Sequence, residues 1–192
     1  MLPFSQIKTL DALLTEAANY AEFCMRSSGR MSPVLFLIGA DGPLIFMPEK
    51  LDDGAAKDDF ANTARLICIA HGATACVMAL EVWAKFATPG EKLDETEPPS
   101  ESFDRREFVT LMGEDRAGQK QLFLPIIRSG NGKFFGFNDS ETPVMDGMTG
   151  RFAQILSPKV PDEQMRLLAK TMLKVKGSKV IKLMPQKPRS RR

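Results

Sequence analysis

Histidine is almost missing from the sequence: His71 is the only one. Any Ser-His-Asp or Cys-His mechanism must therefore use it, and a zinc site built on histidine pairs is excluded. Its place just before Gly72, at the end of a helical pattern, suits a role facing the helix dipole or the core. Cysteine is scarce as well. Cys24, Cys68 and Cys76 are odd in number, lack C-x-x-C spacing and each lie inside an apolar pattern. They read as buried reduced thiols, not as a disulfide framework or metal ligands. Long apolar runs are missing too: the longest, Val34 to Ala40, falls far short of the roughly 20 residues that span a bilayer. Met1 to Lys8 shows no charged region followed by an apolar one, so the expected location is cytoplasmic. The patterns G-x-G-x-x-G and G-x-S-x-G are absent, which removes the signatures of dinucleotide binding and of α/β-hydrolase chemistry. Gly130-Asn131-Gly132-Lys133 resembles the end of a phosphate loop. Ile127 stands where such a loop needs glycine, and Phe134 where it needs Ser or Thr, so the segment reads as a hairpin turn. No cofactor is implied.

What is present is an ordinary globular composition, 43% hydrophobic and 26% charged over 192 residues. Folding a chain of that length buries roughly 70% of its surface, enough for one core. The net charge of +2 hides an asymmetry. Residues 1 to 158 hold 15 basic against 22 acidic residues, a balance of −7, and residues 159 to 192 hold 11 against 2, a balance of +9. An acidic body carries a basic end, read as a single domain over 1–177 and a basic tail over 178–192.

Thr9 precedes apolar residues at helical spacing (Leu10, Leu13, Leu14, Ala17, Ala21, Cys24), which predicts a helix ending near Gly29. Val34 to Ile38 and Leu44 to Met47 flank Asp41-Gly42 and predict a hairpin. Phe60, Ala64, Ile67, Cys68 and His71 mark a second helix between Asp53 and Gly72. Thr74 to Phe86 alternates as a long strand. The acidic, proline-bearing stretch 87–106 is a long connection, of the kind that is usually functional or mobile. Phe108 to Gly113, Gln121 to Ile127 and Lys133 to Phe137 follow as a meander, with Pro125 arguing for an edge or a bulge in its middle strand. Arg151 to Leu156 reads as a further strand, and Pro161 opens a third helix that ends at Gly177. The order helix, two strands, helix, three or four strands, helix gives an α+β class, with an antiparallel sheet of five to six strands and helices packed on it. That order looks like profilin-like and roadblock-type modules, a likeness of fold that carries no function.

Ala79-Leu80-Glu81-Val82-Trp83, Pro99-Ser100-Glu101, Asp104-Arg105-Arg106-Glu107 and Gly113 to Gly118 together resemble a family of uncharacterised bacterial and phage-associated proteins, over residues 74 to 130. The resemblance implies no established activity and carries over no catalytic residue.

Two regions hold candidate chemistry. Glu81 lies on the odd-numbered face of the long strand, and the acidic connection returns Asp104, Arg105 and Glu107 towards its end. Two carboxylates in unequal surroundings can divide acid and base roles and an arginine can clamp an anion, as in a hydrolase. A solvated rim of structural ion pairs is the alternative. Asp52-Asp53 and Asp139-Ser140-Glu141 to Asp146 offer oxygens but not EF-hand spacing, and they read as caps or solvated acids; no metal site is implied. The second region is the basic end. Arg166, Lys170 and Lys174 form one helical stripe, and Met165, Leu168, Met172 and Val175 form the other, expected to dock on the body and leave a basic ridge outside. Lys179, Lys182, Lys187, Arg189, Arg191 and Arg192 continue the charge. Such a segment attracts nucleic acid by counterion release, or an acidic protein; it can equally act as a solvated tail, lie on the acidic body or meet anionic lipid. The expectation is a non-catalytic binding module, with a hydrolase and a self-associating structural protein, a homo-oligomer through its sheet edge, as the alternatives.

Overall fold

A computed structural model describes residues 7–48, 51, 53–85, 101–103, 105–138 and 150–177, and the backbone of 181–182. Helix α1 (Leu10–Ser28) starts where Thr9 accepts a hydrogen bond from the Ala12 amide at 3.2 Å. It ends at Gly29, whose φ of 72° is left-handed and closes the last turn onto Met25. Strands β1 (Val34–Gly39) and β2 (Gly42–Phe46) form the expected hairpin. Helix α2 (Gly54–Ala70) is capped by Asp53, which accepts from the Ala56 amide at 2.7 Å. At its other end the Gly72 and Ala73 amides return to Ile69 and Cys68, closing the turn around His71. Strand β3 (Ala75–Ala84) is followed by β4 (Arg106–Asp115), β5 (Gln119–Arg128) and β6 (Phe134–Phe137). Helix α3 (Glu163–Lys176) and the two-residue strand β7 (Ile181–Lys182) are the last elements among the described residues.

The strands form one antiparallel sheet in the order β6-β5-β4-β3-β1-β2-β7. The sheet is α+β in class, and its two faces carry different helices. Val34, Phe36, Val77, Ala79, Val109 and Leu111 turn to α1, whose Leu13, Leu14, Ala17 and Ala21 cover them. Leu35, Leu37, Cys76, Met78 and Met112 turn to the other side, where α2 supplies Phe60, Ala64, Ile67 and Cys68 and α3 supplies Ala169 and Leu173. Covering on both faces explains why β1 is apolar at five consecutive positions instead of alternating. At Gly113 a Cβ would lie 3.0 Å from Leu10 and 3.2 Å from Leu14, so the absent side chain is what lets α1 settle onto β4.

Four expectations are corrected. Arg151 to Leu156 is not a strand; its amides and carbonyls are held by side chains. The buried Glu114 carboxylate accepts from the Ile155 and Leu156 amides at 3.1 and 2.9 Å. Arg65 donates to the carbonyls of Arg151, Ala153 and Gln154 at 3.1 to 3.3 Å. Pro125 does not mark an edge strand, because β5 lies between β4 and β6; the register slips further on, between Ile127 and Arg128. Proline is tolerated there because its carbonyl accepts from Asn138 just past β6, and its missing N–H faces that same side, where the pairing ends. The segment expected to be tail contributes β7 to the sheet, beside β2. The fourth is the side by which α3 docks: Ala169 and Leu173 face the body.

Thr63 on α2 is 2% exposed, and its hydroxyl has no hydrogen-bond partner among the described residues. Thr63→Val keeps the shape and removes an unsatisfied group, so it should raise stability by about 0.5–1 kcal/mol in urea unfolding. A lower midpoint would mean that the hydroxyl is satisfied after all.

Candidate functional site

Glu81 and Glu107 do meet. Trp83 and Glu107 sit opposite each other across β3 and β4, which places Glu81 beside Glu107 on the α1 face. The two carboxyl groups act on each other, and their surroundings push them in opposite directions. Burial pushes the Glu81 carboxyl up, and Glu107 beside it adds to that against the opposing Met31 amide and Arg128. The Arg128 guanidinium holds the Glu107 carboxyl below the usual range, outweighing burial. Of the two, Glu81 holds a proton more readily and Glu107 gives it up more readily.

Arg128 was not legible as part of this cluster. It comes from the end of β5, where alternation puts it on the α1 face, and its fork binds both oxygens of Glu107 at 2.5 and 2.6 Å. It also donates to the Gly29 carbonyl at 3.2 Å, while Glu81 accepts from the Met31 amide at 2.9 Å. The cluster thus ties the end of α1 and the start of β1 to β3, β4 and β5. Among the described residues these hydrogen bonds all end on the protein itself, with Arg128 also reaching the Gly132 carbonyl at 3.4 Å, which is the structural ion-pair arrangement and not a pair of carboxylates converging on open space.

Outside this cluster, Arg105 lies over the Trp83 ring at 4.8 Å, a cation–π contact at the rim. Trp83, Arg105, Arg106, Glu107 and Arg128 line an open cleft of about 490 Å³, and Glu81 is not among its lining residues. Asp104 and most of the 87–106 connection lie outside the described residues, as do Asp52 and the acids from Asp139 to Asp146. Asp53 is a helix cap.

A glutamine at position 81 can give an N–H to Glu107 and accept from Met31, so Glu81→Gln should fold normally. The sign follows from the raised carboxyl: what the protonated Glu81 contributes is complete below its unfolded pKa and is lost as pH rises through the folded one. Glu81→Gln therefore matches or exceeds the wild type in stability at pH 7 to 8, and it removes that loss from the pH profile. Thermal unfolding across pH 4 to 8 reads this directly. A large destabilisation at pH 8 would show that the ionised carboxylate is the form the fold needs.

The basic end differs from expectation in a telling way. Helix α3 begins at Asp162, which accepts from the Met165 amide at 2.8 Å, and stops at left-handed Gly177. Its anchors are Ala169 and Leu173, not the Met165, Leu168, Met172 and Val175 stripe. Those four are 45%, 62%, 45% and 84% exposed, and Leu167 is 65% exposed. The expected docking face is turned outwards by roughly a quarter turn, because two small contacts and one arginine fix the helix instead. Arg166 packs over Gly72, where a Cβ would sit 3.1 Å from its guanidinium carbon. Lys176 pairs with Asp59 of α2. Lys170 and Lys174 remain exposed. Of the other basic candidates, Lys182 has its backbone in β7, and Lys179, Lys187, Arg189, Arg191 and Arg192 lie outside the described residues.

No protein-family model, no curated protein and no solved structure matches the chain. No helix among the described residues is long and apolar enough to cross a membrane. What the geometry defines is an α+β sheet protein with an internally satisfied carboxylate–arginine cluster at one end and a helix with its apolar side outwards at the other.

Proposed function

We propose that the protein is a non-catalytic interaction module whose contact surface is α3. One observation carries the reading: a helix held by Ala169 and Leu173 leaves Leu167, Leu168, Met172 and Val175 in solvent, beside exposed lysines. Exposed apolar side chains grouped on one element mark a place where another molecule removes them from water. Methionine adds adaptability, since its unbranched side chain repacks against different partners. The hydrolase alternative is weaker, because Glu81 and Glu107 are engaged by Met31, Arg128 and each other. Three free thiols fit a reducing compartment, which supports a cytoplasmic location.

A photo-cross-linking amino acid at position 168 tests this in cells producing the full chain. A discrete adduct is expected from 168, lost when Met172→Glu is added, and none from exposed position 57 on α2. The same adducts from 168 and 57, or none from 168, would remove the reading.

A further inference from the structure

The sheet opens just past Pro125. Pairing between β4 and β5 ends at Phe108 and Pro125, yet β4 runs on to Arg106 along β3, and β5 runs on to Arg128 along β6. Between these two ends, which do not pair with each other, lies the open cleft of about 490 Å³. That is within the range of about 300–1,000 Å³ typical of small-molecule sites. Trp83, Arg105 and Arg106 line it from the β3 and β4 side, and Ile126, Ile127 and Arg128 from the β5 side. The Arg128 fork on Glu107 ties the two sides together and takes up the one negative charge of the lining. Three arginines against that glutamate give the lining a balance of +2, opposite in sign to the −7 of residues 1 to 158. Trp83 is 43% and Ile127 39% exposed, so the cleft joins an aromatic plate and an aliphatic wall to the exposed Arg105 and Arg106.

We propose that this cleft binds a nucleotide unit, its base stacked at Trp83 and its phosphate on Arg105 and Arg106. Arg105 already lies over the indole at 4.8 Å, and a base stacks on a guanidinium plane as it does on an aromatic ring. Indole, guanidinium and base then form one layered stack, while the N–H edge of the guanidinium serves the phosphate. The plate discriminates among anions. A duplex keeps its bases paired and out of reach, and an acidic peptide uses the arginines but leaves the indole and the isoleucines in water. The nucleotide has two sources, a free nucleoside phosphate or one unit of a single strand, which offer the same base and phosphate. None of the lining residues belongs to α3, so the site is separate from the contact surface proposed above.

Trp83 is the only tryptophan of the chain, which makes its emission a direct reporter of the cleft. The full chain is titrated with a single-stranded octanucleotide, the same strand without its bases, a nucleoside monophosphate, a duplex and an acidic peptide. The single strand should quench Trp83, while the base-free strand, the duplex and the peptide bind at least tenfold more weakly and leave the emission unchanged. A monophosphate that binds as tightly as the strand identifies the free nucleotide as the source; a much tighter strand identifies the polymer. By anisotropy, Trp83→Ala should weaken strand binding about tenfold or more, and Trp83→Phe should restore most of it. Arg105→Gln with Arg106→Gln should lower the slope of log affinity against log salt by about 1.4, the share of two phosphate contacts on a single strand. These changes fall on exposed rim residues, and unfolding midpoints show that the fold is kept. Binding that leaves Trp83 emission unchanged places nucleic acid on the basic residues beyond 177 and overturns the inference. So do the absence of quenching by strand and monophosphate alike, equal binding of the base-free strand, or indifference to the two arginine changes.

Discussion

Replacing Glu114 with alanine should cost about 3–5 kcal/mol, the largest single-residue loss expected in the molecule outside its apolar core. The side chain is 4% exposed, and each of its carboxylate oxygens takes one amide, from Ile155 and from Leu156. Truncation would leave two buried donors without acceptors and a void between β4 and the segment on it. Glu114→Gln keeps one acceptor but turns an NH₂ towards an N–H, and should cost about half as much. Because the bonds secure a segment without secondary structure, the first sign should be local. Hydrogen exchange at Ile155 and Leu156 should speed up towards that of open loops before β1 or β3 responds. Protection unchanged at both amides would show that the segment is held by packing alone, through Ala153, Ile155 and Leu156.

The second large effect is expected at Arg128. In Arg128→Met the aliphatic bulk stays, but Glu107 keeps a carboxylate whose side chain is only 12% exposed, and the Gly29 carbonyl loses a donor. Breaking a fully buried pair costs about 3–5 kcal/mol. Arg128 is itself 29% exposed, so screening reduces this to about 2–3 kcal/mol. The loss should shrink in acid. Arg128 holds the Glu107 carboxyl low, so its contribution is present above the unfolded pKa and is lost as pH falls through the folded one. Chemical unfolding of both proteins at pH 7 and near pH 3 gives the comparison. A constant difference would place the role of Arg128 in its bonds to the Gly29 and Gly132 carbonyls, at 3.2 and 3.4 Å, and not in its charge.

Much of the architecture could be read locally, and the reasons are physical. Caps at Thr9, Asp53 and Gly177 are decided by a side chain or a left-handed glycine within three or four residues, and helix ends follow from them. The Asp41-Gly42 and Gly130 to Gly132 turns are likewise local. What depended on distant partners was hidden. Arg151 to Leu156 has the apolar alternation of a strand, yet Glu114 and Arg65 satisfy its backbone from 41 to 89 residues away, and no ladder is needed. Glu81 and Glu107 were legible as a pair because they lie on facing strands, but their arginine comes from a third strand whose order in the sheet one sequence does not disclose. Helix α3 misled for a different reason. A periodic stripe shows which residues can be buried together, not which side of the helix the body accepts. The body instead accepts the smaller Ala169 and Leu173 side, where Arg166 can lie over Gly72 and Lys176 can reach Asp59. The unused stripe is what makes the helix informative about function.

The orientation of α3 decides whether the helix presents a partner surface, and thermal unfolding of two variants of the full chain tests it. Leu168→Glu with Met172→Glu changes only the outward side, and the melting temperature should stay within about 2 °C of the wild type or rise. Leu173→Ala removes one of two anchors, costs about 2 kcal/mol or more, and should lower it by several degrees. The reverse order, with the double glutamate variant unfolding early and Leu173→Ala tolerated, would mean that the large apolar stripe is buried in the protein's own core, and no partner surface would remain on α3.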